Sequence, residues 1–347
     1  MRIGVPVHYG DDFLDVMTRL PDYEHAGASI IYVAEAYTFD AVSQLGFIAA
    51  TMPNVQIASN IFNIYSRTPT LVAMTAAGLD YVSGGRFTLG IGASGPQVVE
   101  GFHGVAYDAP LGRTRDVIDI CRQVWRREKV QFSNSRYNIP LTAERGGSGL
   151  GKPLKLINTP VRPDIPIMVA AMGPKNVELT AELAHAWAPF FFRPEGYRDV
   201  WGESLNNGFA KRDPALGPLG IVAPIAVAVG EDVDHLLDNA RPELALYIGG
   251  MGARGKNFYN DLAARYGYEA EAKHIQDLYL DGKKAEAAAA VPLDLLRRIS
   301  LIGPAGFVKE RLAALDEAGV TTLAVKPLGN THADKVTNVQ KLADLLG

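Results

Sequence analysis

Eight short apolar runs, each followed by a helical pattern, recur along the chain, and this alternation limits the fold more than any other feature. The runs are 3–9, 29–34, 55–62, 87–91, 165–171, 186–192, 221–229 and 320–326. Between them apolar residues recur at helical spacing, as in Phe13, Val16, Met17 and Leu20, or Leu71, Val72, Leu79 and Val82. Thr68-Pro69 reads as an N-cap with proline at the first helical position, and Gly27 and Gly319 read as helix ends. Strand–helix repetition predicts a parallel sheet covered by helices, and eight units predict that the sheet closes. The expected fold is α/β, a (β/α)8 TIM barrel with a helical insertion and long active-site loops. A doubly wound sheet with a helical cap is the alternative. Pro224, inside the seventh run, predicts a distorted or partly edge-like strand.

Two stretches exceed what a strand–helix unit needs. Residues 130–164 carry Gly146, Gly147, Gly149 and Gly151 with little periodicity, and read as a long loop insertion serving as a lid or binding loop. Residues 231–300 are helical in pattern and read as an insertion within one barrel domain, 1–347. A formal net charge of −4 gives no general attraction to nucleic acid, so a small-molecule substrate is the expected partner. No apolar run reaches a membrane span and no leader pattern opens the sequence, so the expected compartment is cytoplasmic. Cys121 is the sole cysteine, which excludes an intrachain disulfide and a thiolate cluster; its apolar neighbours place it in the core.

In such a fold, chemistry sits where strands end. Small-residue exits recur at Ala58-Ser59-Asn60, at Gly92-Ala93-Ser94-Gly95 and at Ala170-Ala171-Met172-Gly173, which lets a ligand approach the backbone closely. The same rim receives His8 and Tyr9 from the first strand, Glu35 and Asp40 from the second, Asn63 from the third, Gln97 from the fourth and Lys175 from the fifth. A rim carboxylate can act as acid or base or cap the next helix; His8 can be catalytic or packed. Gly173-Pro174-Lys175 places a helix start and a cation together, which suits a phosphate, although Lys175 can equally be solvated. Arg113 and Arg115 oppose the dipole of their helix and call for an anionic partner, a ligand phosphate or Asp116. No metal-ligand spacing, nucleophile elbow or P-loop is present, and Gly90 to Gly95 matches a dinucleotide fingerprint only superficially, after the fourth strand. A catalytic metal is not expected. An enzyme with a large cofactor and a non-catalytic binder on the same scaffold both fit these residues.

Five blocks, in order, resemble one family. They are Val33 to Asp40, Ile57 to Pro69, Leu79 to Gly92, Gly173-Pro174 and Ile302-Gly303. Together they resemble the luciferase-like superfamily, in its coenzyme F420-dependent oxidoreductase branch, over nearly the whole chain. The resemblance implies a homodimer, F420 as cofactor and hydride transfer with an organic substrate. It implies a non-proline cis peptide at Asn60–Ile61 behind the deazaflavin ring. It implies that Asp40, Ser59, Asn60, Ile61, Ala93, Ser94, Gly95 and Gln97 line the cofactor, and that Gly173, Pro174 and Lys175 hold its tail. The chain departs from the family's alcohol and sugar-phosphate dehydrogenases, which carry histidine soon after the second-strand acid; here the sequence reads Glu35-Ala36-Tyr37. Pro96-Gln97 also replaces a glutamate found in the sugar-phosphate enzyme. This favours reduction of an activated double bond or imine-like carbon, with Glu35, Tyr37 and His8 the candidate catalytic side chains. Flavin barrels share most of these motifs, so an FMN-dependent monooxygenase using reduced flavin and O2 is the alternative.

Overall fold

Alternation along each strand sorts the side chains into two sets. Ile31 and Val33 point outward to the helices, while Ile30 and Tyr32 point into the lumen. A computed structural model describes residues 1–8, 10 and 12–347. Tyr9, expected at the first strand exit, lies outside the described residues. The barrel strands are β1 (Arg2–Val7), β2 (Ala28–Val33), β3 (Gln56–Ser59), β4 (Phe87–Gly92), β5 (Ile167–Ala170), β6 (Ala186–Ala188), β7 (Gly220–Val229) and β8 (Val320–Pro327). All pair in parallel in sequence order, and β8 returns to β1, closing a (β/α)8 barrel. The helices of the eight units are α1 (Phe13–His25), α2 (Ala41–Thr51), α3 (Pro69–Val82), α4 (Pro110–Trp125), α5 (Pro174–Leu183), α6 (Tyr197–Phe209), α7 (Ala305–Glu317) and α8 (His332–Leu346).

Three departures from the sequence pattern have local causes. The run expected as one strand over 55–62 breaks after Ser59 and rejoins β4 at Phe62–Asn63. The run 186–192 is strand only to Ala188. Ser300–Gly303 forms a short strand beside Ala226–Val229 of β7, which the sequence reading placed between two helices. On that side β7 pairs β6 only through Gly220 and Ile221, and Pro224 falls in the interval between the two neighbours. The partly edge-like strand that Pro224 predicts is therefore a change of partner.

The outer shell is closed by indoles. Trp125, Trp187 and Trp201 are fully buried and donate their N–H groups to the carbonyls of Ala73, Ala171 and Met172 at 2.7–2.9 Å. Trp187 and Trp201 meet edge-to-face at 5.0 Å and so fix the exit of β5. Cys121 is buried on α4, and desolvation pushes its thiol well above the ordinary range. The native protein is therefore expected to leave a thiol reagent unconsumed at pH 8, and to react stoichiometrically only in denaturant. Prompt reaction of the folded chain would contradict this packing.

The turn before β4 is held from the opposite end of the barrel. Gly84 and Gly85 take positive φ (66° and 87°), and Arg86 donates to the carbonyls of Ala49, Met52, Val55 and Ser83. Asp80, fully buried, accepts from Arg162 and from the Phe87 N–H. The stretch 130–164 contains one small antiparallel pair, Phe132–Ser133 with Asn138–Ile139, and one helical turn at Ala143–Arg145. The stretch after β7 runs through short helices from Asp234 to Arg298.

Candidate active site at the C-terminal rim

The break after Ser59 shapes the mouth of the barrel. The Ser59 hydroxyl donates to the Gly90 carbonyl at 2.8 Å and accepts from the Gly90 N–H at 2.9 Å, so one side chain replaces a stretch of ladder. Gly90 admits this approach because a Cβ there would lie 1.9 Å from the Ser59 carbonyl oxygen. The next peptide, Asn60–Ile61, is cis. The Ile61 side chain then lies over Gly92, where a Cβ would sit 3.0 Å from its Cδ1. The result is a bulge with an apolar cap, backed by residues without side chains.

β4 leaves this platform through Ala93, Ser94 and Gly95. Ser94 is left-handed (φ 57°) and exposed, and its carbonyl accepts from the Tyr107 hydroxyl at 3.3 Å. Gln97 is exposed on the short turn of helix that follows. Asn63 is buried; its Oδ1 accepts from the Tyr65 N–H, and its Nδ2 has no protein partner among the described residues. At the neighbouring exit, Gly173 caps α5 without a side chain and Pro174 opens it. Lys175 points to solvent and pairs with Glu178 at 3.1 Å.

The acidic residues of the second exit are not free. Arg67 grips Glu35 with two bonds of 2.5 and 2.8 Å and reaches Asp40 at 2.8 Å. Glu35 also accepts the Ala41 N–H at 3.1 Å, and Asp40 caps α2 by accepting from Val42 at 2.7 Å. The Glu35 carboxylate holds the Arg67 guanidinium above its ordinary range. Arg67 also lies 4.6 Å over the Phe62 ring. The Ala41 contact is the helix-capping role that one of the two sequence readings of Glu35 calls for. Tyr37 is exposed, its ring 6.2 Å from Phe102. His8 is exposed and lines a cavity of about 240 Å³ with Asp12, Phe39 and Gln44.

The anion expected near Arg113 and Arg115 is supplied by protein, but not by Asp116. Arg113 pairs with Asp108, Arg115 with Glu182, and Asp116 with Arg136. Sequence reasoning also missed Arg67 as a site organiser, although it faces two carboxylates from just before the Thr68 cap. It missed the aromatic wall at the sixth exit as well. There Phe190 packs on Tyr247 and Tyr259 of the insertion, with ring centres 4.5 and 5.0 Å apart.

Comparison with known proteins identifies the family. A model of the luciferase-like monooxygenase family matches residues 1–322. A Mycobacterium tuberculosis protein provisionally named a coenzyme F420-dependent oxidoreductase is 41% identical over 305 residues, 87% of each chain. The 5,10-methylenetetrahydromethanopterin reductase of Archaeoglobus fulgidus is 26% identical over 91% of this chain and 90% of its own. Among solved structures, the F420-dependent tetrahydromethanopterin reductase of Methanopyrus kandleri superposes with a TM-score of 0.79 at 19% identity, over 98% and 97% of the two chains. An F420-dependent secondary alcohol dehydrogenase gives 0.77 at 16% identity, over 100% and 99%. With a closed eightfold barrel, a matching family model and a relative of 41% identity, the chain belongs to the luciferase-like monooxygenase family, among its coenzyme F420-dependent oxidoreductases.

Proposed function

We propose that the protein is an oxidoreductase that transfers a hydride between coenzyme F420 and an organic substrate at the C-terminal mouth of the barrel. The observation that carries this reading is the Ser59–Gly90 bridge, with Ile61 seated over Gly92. A planar ring needs an apolar backing, and this bulge supplies one through the Ile61 side chain laid over Gly92. Ala93, Ser94, Gly95 and Gln97 would border the ring, with Asn60 and Asp40 at its margin. The first turn of α5, at Gly173, Pro174 and Lys175, suits the anionic tail. The cofactor, when bound, supplies the hydride chemistry.

The chain's own part is to orient and enclose. Glu35 fixes Arg67 and the start of α2, so it positions the rim. His8 and Tyr37, both exposed, are the side chains we assign to handle the proton at the substrate. The aromatic wall of Phe190, Tyr247 and Tyr259 would exclude water from the far side. A stripe of exposed apolar side chains on α3, Leu71, Met74 and Val82, supports reading the chain as a homodimer.

Titration with F420 and FMN, followed by fluorescence and absorbance, tests the proposal. F420 is expected to bind with a dissociation constant on the order of micromolar, and FMN at least about tenfold more weakly. Gly92→Ala should weaken F420 binding while costing little in melting temperature, because the single added Cβ presses only on the Ile61 side chain, whose end can turn aside. Binding of neither cofactor would end the reading. Preferential FMN binding with oxygen consumption would replace it with the monooxygenase.

A further inference from the structure

The opposite end of the barrel holds a second cavity, of about 320 Å³, among the N-terminal halves of the strands. Arg2, Arg86, Arg162 and His185 line it, and among the described residues no aspartate or glutamate does. Arg162 is neutralised by Asp80 behind it. His185 accepts the Ile167 N–H on Nδ1 at 3.0 Å and pairs with the Asp164 carboxylate through Nε2 at 3.2 Å, so it adds no unpaired positive charge. Arg86 donates to neutral carbonyls, and Arg2 donates to the neutral Gln56 Oε1 at 2.6 Å. Among the described residues neither has a carboxylate partner, so the cavity carries an excess of two positive charges.

Its inner wall is of the other kind. Ile30, Ala58, Met168 and Val222 form a separate apolar cluster inside the lumen. Tyr32 belongs to that cluster, is 2% exposed and also lines the cavity, with its phenol within electrostatic reach of Arg2. Its ring lies there because Gly4 makes room, since a Cβ at position 4 would be 2.4 Å from the Tyr32 Cε2. A phenol that lines the cavity beside a guanidinium can donate to an anion held there.

We propose that this floor cavity binds a short-chain carboxylate, head toward Arg2 and the Tyr32 hydroxyl, tail against the apolar lumen. An inorganic anion would leave the apolar wall uncovered, and a neutral alcohol would leave the cationic mouth without a counter-charge. The site is separate from the C-terminal mouth and does not depend on the cofactor assignment.

Calorimetric titration of the full chain with sodium hexanoate tests it. One saturable site is expected, with hexanol and inorganic phosphate each at least about tenfold weaker. Arg2→Met should weaken hexanoate about tenfold, equivalent to about 1.4 kcal/mol. Tyr32→Phe, which keeps the ring, should weaken it several-fold and carries the test if Arg2→Met does not fold. Affinity should be unchanged with F420 at saturation. Absence of saturable heat, equal binding of hexanol or phosphate, wild-type affinity in the folded Arg2→Met and Tyr32→Phe variants, or displacement by F420 would each overturn the site.

Discussion

Gly90→Ala is expected to cost the protein about 3 kcal/mol or more, seen as a large fall in the denaturant midpoint. The cause is specific. The added methyl would stand 1.9 Å from the Ser59 carbonyl oxygen and 2.9 Å from its carbon, and both are backbone atoms that cannot rotate away. Relief requires β3 to separate from β4 at the point where the Ser59 hydroxyl bridges them. Ser59→Ala provides the calibration. It removes that bridge without a clash and leaves the Gly90 N–H and C=O short of a partner in a buried setting, at about 1–3 kcal/mol. If Gly90→Ala melts like the wild type, the close approach of the two strands is wrong, and so is the platform built on it.

Much of the fold is legible in the sequence because a barrel strand repeats every two residues and a covering helix every 3.6. Ile31 and Val33 outward against Ile30 and Tyr32 inward is that rule at work. Where the chain breaks the period for a tertiary reason, the reading fails. Val55 to Phe62 is continuous in sequence, and only the Ser59–Gly90 contact, across 31 residues, interrupts it. Ser300–Gly303 is too short to stand out between helices and is a strand because β7 has an open side there.

For the candidate site, the sequence places residues at strand exits but does not show which charges they meet. The rim residues arrive where the strand exits put them, but the partners that set their roles are remote. Glu35 looks like a free carboxylate until Arg67, 32 positions on, closes over it. Arg115 finds Glu182 across 67 positions, whereas Lys175 and Glu178 are near neighbours on one helix. The block from Leu79 to Gly92 divides between the two ends of the barrel. Asp80, Arg86 and Phe87 hold the N-terminal end, and only Gly90 and Gly92 reach the candidate site.

Arg67→Met isolates the central charge of that rim. The Glu35 side chain is 8% exposed and Arg67 9%, so the substitution leaves a buried carboxylate with one backbone N–H for company. Breaking such a pair from one side costs about 3–5 kcal/mol, because the desolvated charge that remains has lost its counter-ion. The double variant Arg67→Met with Glu35→Gln should recover at least half of that loss, since a neutral amide still accepts the Ala41 N–H. Asp40, whose side chain is 60% exposed, contributes little to either variant. Chemical denaturation of the four members of this cycle measures the coupling directly. Additive single effects would mean that Glu35 and Arg67 act independently, and that the pair does not organise the rim.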